Sequence, residues 1–216
     1  MQTLHGKGYT DKWLINIRGC NGSGKSTIPM SMVDDPEMYV VKRPYKGRDR
    51  NVFTVFPTYG WVVLGSYFNK CGGLDGFVDT AMILKATWYA LKKFPDYNII
   101  MEGVIPSTVF STYANLFQEI QEKYPERKVI VVNLLPPVEE CLKRIQKRNG
   151  GKAIKSDLVK NKWTTVAKNA DKFTEAGILS LKWDNSEIGG KFGRINMVDA
   201  LVKFIRKEAK ECGQLL

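Results

Sequence analysis

Histidine and cysteine are scarce in this chain. His5 is the single histidine, and the four cysteines, Cys20, Cys71, Cys141 and Cys212, are widely spaced with no Cys-x-x-Cys pair. That spacing argues against a zinc site and against a disulfide framework, so buried thiols are the expected role. Long apolar runs are missing too. None approaches the roughly 20 residues that span a bilayer, and Met1 to Gly8 lacks the apolar stretch of a signal peptide. A soluble, cytoplasmic protein with no membrane contact is expected. Acids are outnumbered: 22 Asp and Glu face 33 Lys and Arg, a formal net charge of +11, with a sequence pI near 9.4. A protein that handles only free nucleotides needs a few cations in its site, whereas a broad positive field concentrates a polyanion. Nucleic acid, and DNA in particular, is therefore a candidate partner. No internal repeat or low-complexity linker divides the 216 residues, which predicts one domain over 1–216.

What the sequence does contain is a phosphate-binding pattern. Gly19-Cys20-Asn21-Gly22-Ser23-Gly24-Lys25-Ser26 has the Gly-x-x-x-x-Gly-Lys-Ser spacing, followed by Thr27. Such a loop curls successive backbone N–H groups around phosphate oxygens. Its lysine reaches the β- and γ-phosphates of ATP, and its serine hydroxyl is offered to Mg²⁺. The context is right: Lys12 to Arg18 reads as a buried strand running into the loop, and a short helix over 25–33 follows, with Pro29 in its first turn.

Further strands are predicted over 38–42, 52–56, 61–66, 98–101, 129–135 and 178–183. Helices are predicted over 77–94, 107–124 (capped by Ser107), 138–148, 157–176 and 196–212. Lys46 to Arg50 reads as a charged loop, and Asn69 to Gly76 as a glycine-rich one. Alternating strands and helices imply an α/β three-layer fold with a mainly parallel sheet.

Three more features carry chemistry. Glu102 ends the 98–101 strand, at the sheet edge where ligands of parallel sheets bind, and is a candidate for orienting Mg²⁺ or contacting an acceptor hydroxyl. Arg144 and Arg148, four apart on one helix, together with Lys152 and Lys155, are placed to stabilise charge on a transferring phosphoryl group. Asp75 sits in the glycine-rich loop just before a helix, as a candidate general base or as that helix's N-cap. In Lys42 to Arg50 basic residues interleave with Tyr45, a pattern that can hold phosphates and stack on bases.

Together these residues resemble the small P-loop kinases, the group that contains nucleoside monophosphate kinases and polynucleotide kinases, and within it the phage kinases that phosphorylate 5-hydroxymethyluracil in DNA. The resemblance covers most of the chain. It implies a P-loop NTPase fold, ATP and Mg²⁺ as cofactors, and Gly19 to Ser26 as phosphate loop. It also implies Lys25, Glu102, Arg144 and Arg148 as catalytic, Arg144 also touching nucleotide, Ser26 and Glu102 as metal ligands, and a small lid near 148–157. Adenine is expected against Asp184-Asn185-Ser186. One departure stands out. Polynucleotide kinases carry a general-base aspartate just after the second strand, and this chain reads Lys42-Arg43-Pro44 there. The base must then come from Asp75, Glu102, Asp35 or Asp49. A free deoxynucleotide kinase and a nucleotide-dependent switch are the competing expectations.

Overall fold

The computed structural model describes residues 12–67, 73–152, 155–186 and 197–213. His5, Cys71, Asn69–Gly72, part of the expected lid (153–154) and Asn196 lie outside the described residues. Seven strands form one sheet: β1 Lys12–Arg18, β2 Tyr39–Tyr45, β3 Arg48–Phe56, β4 Trp61–Leu64, β5 Asn98–Glu102, β6 Arg127–Leu134 and β7 Leu179–Trp183. Their order is β2-β3-β4-β5-β1-β6-β7. Strands β4, β5, β1, β6 and β7 run parallel, and β2 and β3 join antiparallel at one edge. The parallel strands are continuous apolar runs because both sheet faces are covered.

Around the sheet lie α1 Thr27–Met30, α2 Thr80–Lys93, α3 Val104–Thr108, α4 Ser111–Lys123, α5 Val138–Arg148, α6 Ser156–Glu175 and α7 Met197–Glu211. One core joins Leu14, Ile99, Met101 and Val131 to Ala86 and Ala90 of α2 and Phe117 and Ile120 of α4. The opposite core joins Ile15, Ile17, Ile100 and Val132 to Ile28 of α1 and Leu201 and Ile205 of α7. Adjacent residues of each strand thus point into different layers, giving the three-layer α/β arrangement expected. Among the described residues, no helix is long and apolar enough to cross a membrane.

Several local expectations change. Helix α1 is shorter than 25–33, because past Ser31 the bonds become three-residue turns: Met32 N to Pro29 O at 3.1 Å and Asp35 N to Met32 O at 3.0 Å. Helix α2 begins at Thr80 rather than at Phe77, since Asp79 caps it by accepting from Met82 N at 2.8 Å. Asp75 therefore does not cap that helix. The helix expected over 107–124 is two, because the Arg18 guanidinium takes the carbonyls of Ser107 (2.8 Å) and Val109 (2.6 Å) out of the helical ladder. Ser107 lies inside α3 and is not a cap. The charged stretch from Lys46 to Arg50 is a tight hairpin. Lys46 (φ 49°) and Gly47 (φ 74°) are both left-handed, as a two-residue hairpin turn requires, and Arg48 already belongs to β3.

Candidate active site

The Gly19–Ser26 loop leaves the C-terminal end of β1, beside the end of β5. Gly22 and Gly24 have φ of 80° and 94°, which side chains rarely adopt. A Cβ on Gly22 would also press to 2.9 Å from Ile145 Cγ1. The loop closes on itself through Ser23 N donating to Cys20 O at 3.3 Å, while the amides of Asn21, Gly22, Gly24, Lys25 and Ser26 have no backbone partner among the described residues. These five residues all line one cavity, and unpaired successive amides of this kind suit a phosphate chain.

Lys25 is 5% exposed and donates to the carbonyls of Gly19 (3.0 Å) and Cys20 (2.9 Å). Burial pushes its ammonium pKa below the ordinary value, against the opposing pull of Glu102. Glu102 is buried below Ser26: its Oε1 accepts from Ser26 Oγ at 3.1 Å and from Tyr67 OH at 2.9 Å. Burial raises the Glu102 carboxyl, and Lys25 and these two donors hold it back. A loop serine hydroxyl touching a strand-end carboxylate is an oxygen donor set suited to Mg²⁺.

Above the loop lies a cavity of about 800 Å³. Its floor is formed by Asn21, Gly22, Gly24, Lys25, Ser26 and Thr27, and its walls by Asp75 and Val104 on one side and Arg144, Arg148 and Asn149 on the other. Gly19, Ser23 and Glu102 do not reach this surface. The amides of Gly19 and Ser23 are already engaged within the protein, by Ser107 Oγ and Cys20 O. Arg144 is held by Glu140 at 2.9 Å and leans toward the carbonyls of Ser23 and Asn185, both at 3.4 Å. Asn185 Nδ2 donates to Ser23 O at 2.9 Å, which brings the 184–186 loop against the phosphate loop.

Of the four acids considered as base, Asp75 alone lines the cavity. Its Oδ1 and Oδ2 accept from Val104 N at 2.9 and 3.1 Å, so it caps α3 from a distant loop. Asp35 is spent on the amides of Glu37 (2.9 Å) and Thr58 (3.0 Å). Asp49 stands on the hairpin, opposite Pro44.

Against this geometry the comparisons can be set. The family model described as 5-hmdU DNA kinase matches residues 5–177. The chain belongs to this family. A 5-hmdU DNA kinase of Bacillus phage SP10 is 50% identical over 185 residues, 82% of this chain and 28% of that protein. One of Pseudomonas phage M6 is 33% identical over 180 residues, 80% of this chain and 92% of that protein. This chain thus spans little more than a quarter of the SP10 relative and nearly all of the M6 one. Among solved structures, a chain of the Pnkp1/Rnl/Hen1 RNA repair complex is similar over 77% of this chain and 48% of its own, with 16% identity and a TM-score of 0.44.

In this member of the family the site is braced by Arg18 and Tyr67, which the sequence pattern does not single out, and by Ser107, expected there only as a helix cap. Arg18 is fully buried, and among the described residues it pairs with no carboxylate. It also donates to Asn16 Oδ1 at 3.1 Å, and its guanidinium lies 4.7 Å from the Phe173 ring centre. Burial lowers its pKa to about 9. Ser107 Oγ donates to Gly103 O and accepts from Gly19 N at 3.1 Å, tying the first residue of the phosphate loop to α3. Tyr67 orients Glu102 from a loop whose sequence carries no signal of it. Cys20 and Cys141 are buried with sulfurs 3.5 Å apart, and Cys212 is exposed.

The Ser107 brace makes a stability prediction. Ser107→Ala leaves the Gly19 amide buried and unpaired, which costs about 1–3 kcal/mol. Urea unfolding of the variant should show a lowered midpoint at unchanged slope; an unchanged midpoint would mean water or another group replaces the hydroxyl.

Proposed function

We propose that this chain is an ATP-dependent kinase that transfers the γ-phosphoryl group to the hydroxymethyl oxygen of 5-hydroxymethyluracil in DNA, acting in the cytoplasm of an infected cell. The observation that carries the reading is the single cavity in which free loop amides and Lys25 face Asp75 on one wall and two arginines on the other. Membership of the 5-hmdU DNA kinase family supports the acceptor, and the net charge of +11 supports DNA as its carrier.

In this reading the amides from Asn21 to Ser26 and Lys25 bind the phosphates of ATP. Ser26, with Glu102 behind it, would hold Mg²⁺, which when bound would supply positive charge against the phosphates. Asp75 accepts the proton of the hydroxymethyl group as its oxygen bonds to the γ-phosphorus. The bond from that phosphorus to the β,γ-bridging oxygen breaks, and ADP departs. Arg144 and Arg148 meet the negative charge spread over the transferring group. The 148–157 segment acts as a lid over a single catalytic domain. A base inside a duplex is shielded by its stack, so the target must be flipped out or presented in a single strand.

The deciding experiment supplies labelled ATP with a panel of free deoxynucleotides, unmodified DNA, 5-hydroxymethyluracil DNA and RNA. Label is expected in the modified DNA. Label confined to free nucleotides would replace this reading with a nucleotide kinase. The arginine role has its own test. Arg144→Ala and Arg148→Ala should each lower kcat roughly tenfold or more and change the KM for ATP less, because the charge they meet develops in the transition state. A raised KM at normal kcat would make them ground-state contacts.

A further inference from the structure

The β2–β3 hairpin concentrates positive charge in an unusual way. Lys42, Arg43, Lys46, Arg48 and Arg50 fall within nine residues, with Asp49 the one acid among them. The register sets Arg43 opposite Arg50 and Tyr45 opposite Arg48, so three guanidinium groups share one face of the ribbon. Like charges directly opposite each other destabilise a strand pair. Little offsets this. Lys46 pairs with Asp79 at 2.7 Å, and Arg43 rests 4.3 Å from the Tyr89 ring centre. Among the described residues, Arg43, Arg48 and Arg50 have no carboxylate partner.

The hairpin is nonetheless a fixed arm. Tyr45 OH donates to Asp79 Oδ1 at 2.8 Å, rooting the arm on the first turn of α2. This bond fixes one edge of the Tyr45 ring and makes Tyr45 an anchor of the arm.

Its location is what gives the charge a use. Phe53 pairs with Leu64, the last residue of β4, so Arg48–Val52 run on past the end of that strand. At about 3.3 Å per residue the overhang is roughly 15 Å. Because β4, β5 and β1 are parallel, the overhang lies at the same sheet edge as Glu102 and the phosphate loop. The lateral offset from β3 to β5 is two strand spacings, roughly 10 Å, and to β1 roughly 15 Å. With the overhang added, the separation is roughly 18–21 Å, and since successive phosphates of one DNA strand advance about 3.4 Å it matches about five to six nucleotides.

We propose that the arginine face of this hairpin grips the phosphate backbone of duplex DNA, about five to six nucleotides from the base that enters the cavity; its place beside a target base rests on the DNA-kinase reading above. Backbone contact of this kind positions the duplex and carries no sequence information.

The test is a titration of fluorescent duplex DNA over a salt series with three proteins: the unaltered chain, Arg48→Gln/Arg50→Gln, and Arg48→Lys/Arg50→Lys. Each lost phosphate contact removes about 0.9 from the slope of log K against log salt, so the Gln variant should be shallower by about 1.8 and the Lys variant unchanged. The Gln variant should melt no lower than the unaltered chain, because substitution removes repulsion. Its transfer to a 5-hydroxymethyluracil trinucleotide, too short to reach the arm, should be normal. An unchanged slope, or an equal loss on trinucleotide and duplex, overturns the proposal. A shallower slope in a protein that labels no modified DNA would uphold the arm and sink the kinase reading, so the two fail separately.

Discussion

Lys25→Ala is expected to lower phosphoryl transfer about 10³-fold, the scale for losing a preorganised donor to the transferring group, while the protein stays folded. Lys25 is buried, and its ammonium is held by two carbonyls, with the nearest carboxylate, Glu102, bonded to Ser26 and Tyr67 instead. A desolvated cation in such a place costs stability, and its pKa falls for that reason. The sign of the pH dependence follows. Between the lowered folded value and the ordinary 10.5, the unfolded chain binds more protons than the folded one, so the protein grows more stable as pH rises through that window. Lys25→Met, which keeps the stem and removes the charge, should abolish transfer equally. It should melt at or above the unaltered protein near neutral pH and lack the gain towards pH 10.5. Near-normal turnover in either variant would end the kinase assignment. A lower melting point for Lys25→Met would mean that the bonds to Gly19 and Cys20 outweigh the desolvation.

The contrast between Lys25 and its surroundings shows what a linear sequence conveys here. The phosphate loop is legible because its eight residues are contiguous: glycine where φ is positive at positions 22 and 24, followed by the lysine and serine that the proposed phosphate and metal contacts need. The parallel strands are legible because burial on both faces leaves them no polar alternation. The braces are not. Gly19 to Ser107, Arg18 to Val109 and Tyr67 to Glu102 join residues 88, 91 and 35 apart in sequence, and no spacing rule nominates such partners. Ser107 looked like a helix cap because Pro106 precedes it, and only the buried Arg18 shows why the helix breaks at that point.

The hairpin was misread for a related reason. Five cations in nine residues have the composition of a solvated loop, and β-propensity alone would not pair Arg43 with Arg50. What makes them strands lies elsewhere in the chain: Asp79 receiving Tyr45 and Lys46, and Tyr89 lying against Arg43. The missing aspartate of the polynucleotide kinases has a structural counterpart. Lys42-Arg43-Pro44 lies on β2, three strands away from β5 in the sheet, so this segment is not at the cavity. Under the proposed function the base comes from another wall, and Asp75 on the turn Gly73–Gly76 is the candidate there.

Asp75→Asn tests this directly. The prediction is a loss of transfer to 5-hydroxymethyluracil DNA of about 10²-fold or more, the usual scale for removing a general base, at nearly unchanged ATP affinity. The substitution is informative because Asp75 does two things in the structure. It faces the cavity, and it accepts the Val104 and Ile105 amides at the start of α3, with Oδ1 at 2.9 and 3.4 Å. Asparagine keeps one carbonyl oxygen of the same shape, so it can go on accepting the Val104 amide, but it cannot take up a proton at neutral pH. Asp75→Ala removes both roles. If the residue is the base, the two variants lose transfer alike and only the alanine variant melts lower. If it is a cap and nothing more, the asparagine variant turns over normally and the alanine variant suffers in stability first. Glu102 would inherit the base role in that case, although its hydrogen bonds to Ser26 and Tyr67 and its burial keep it off the cavity wall.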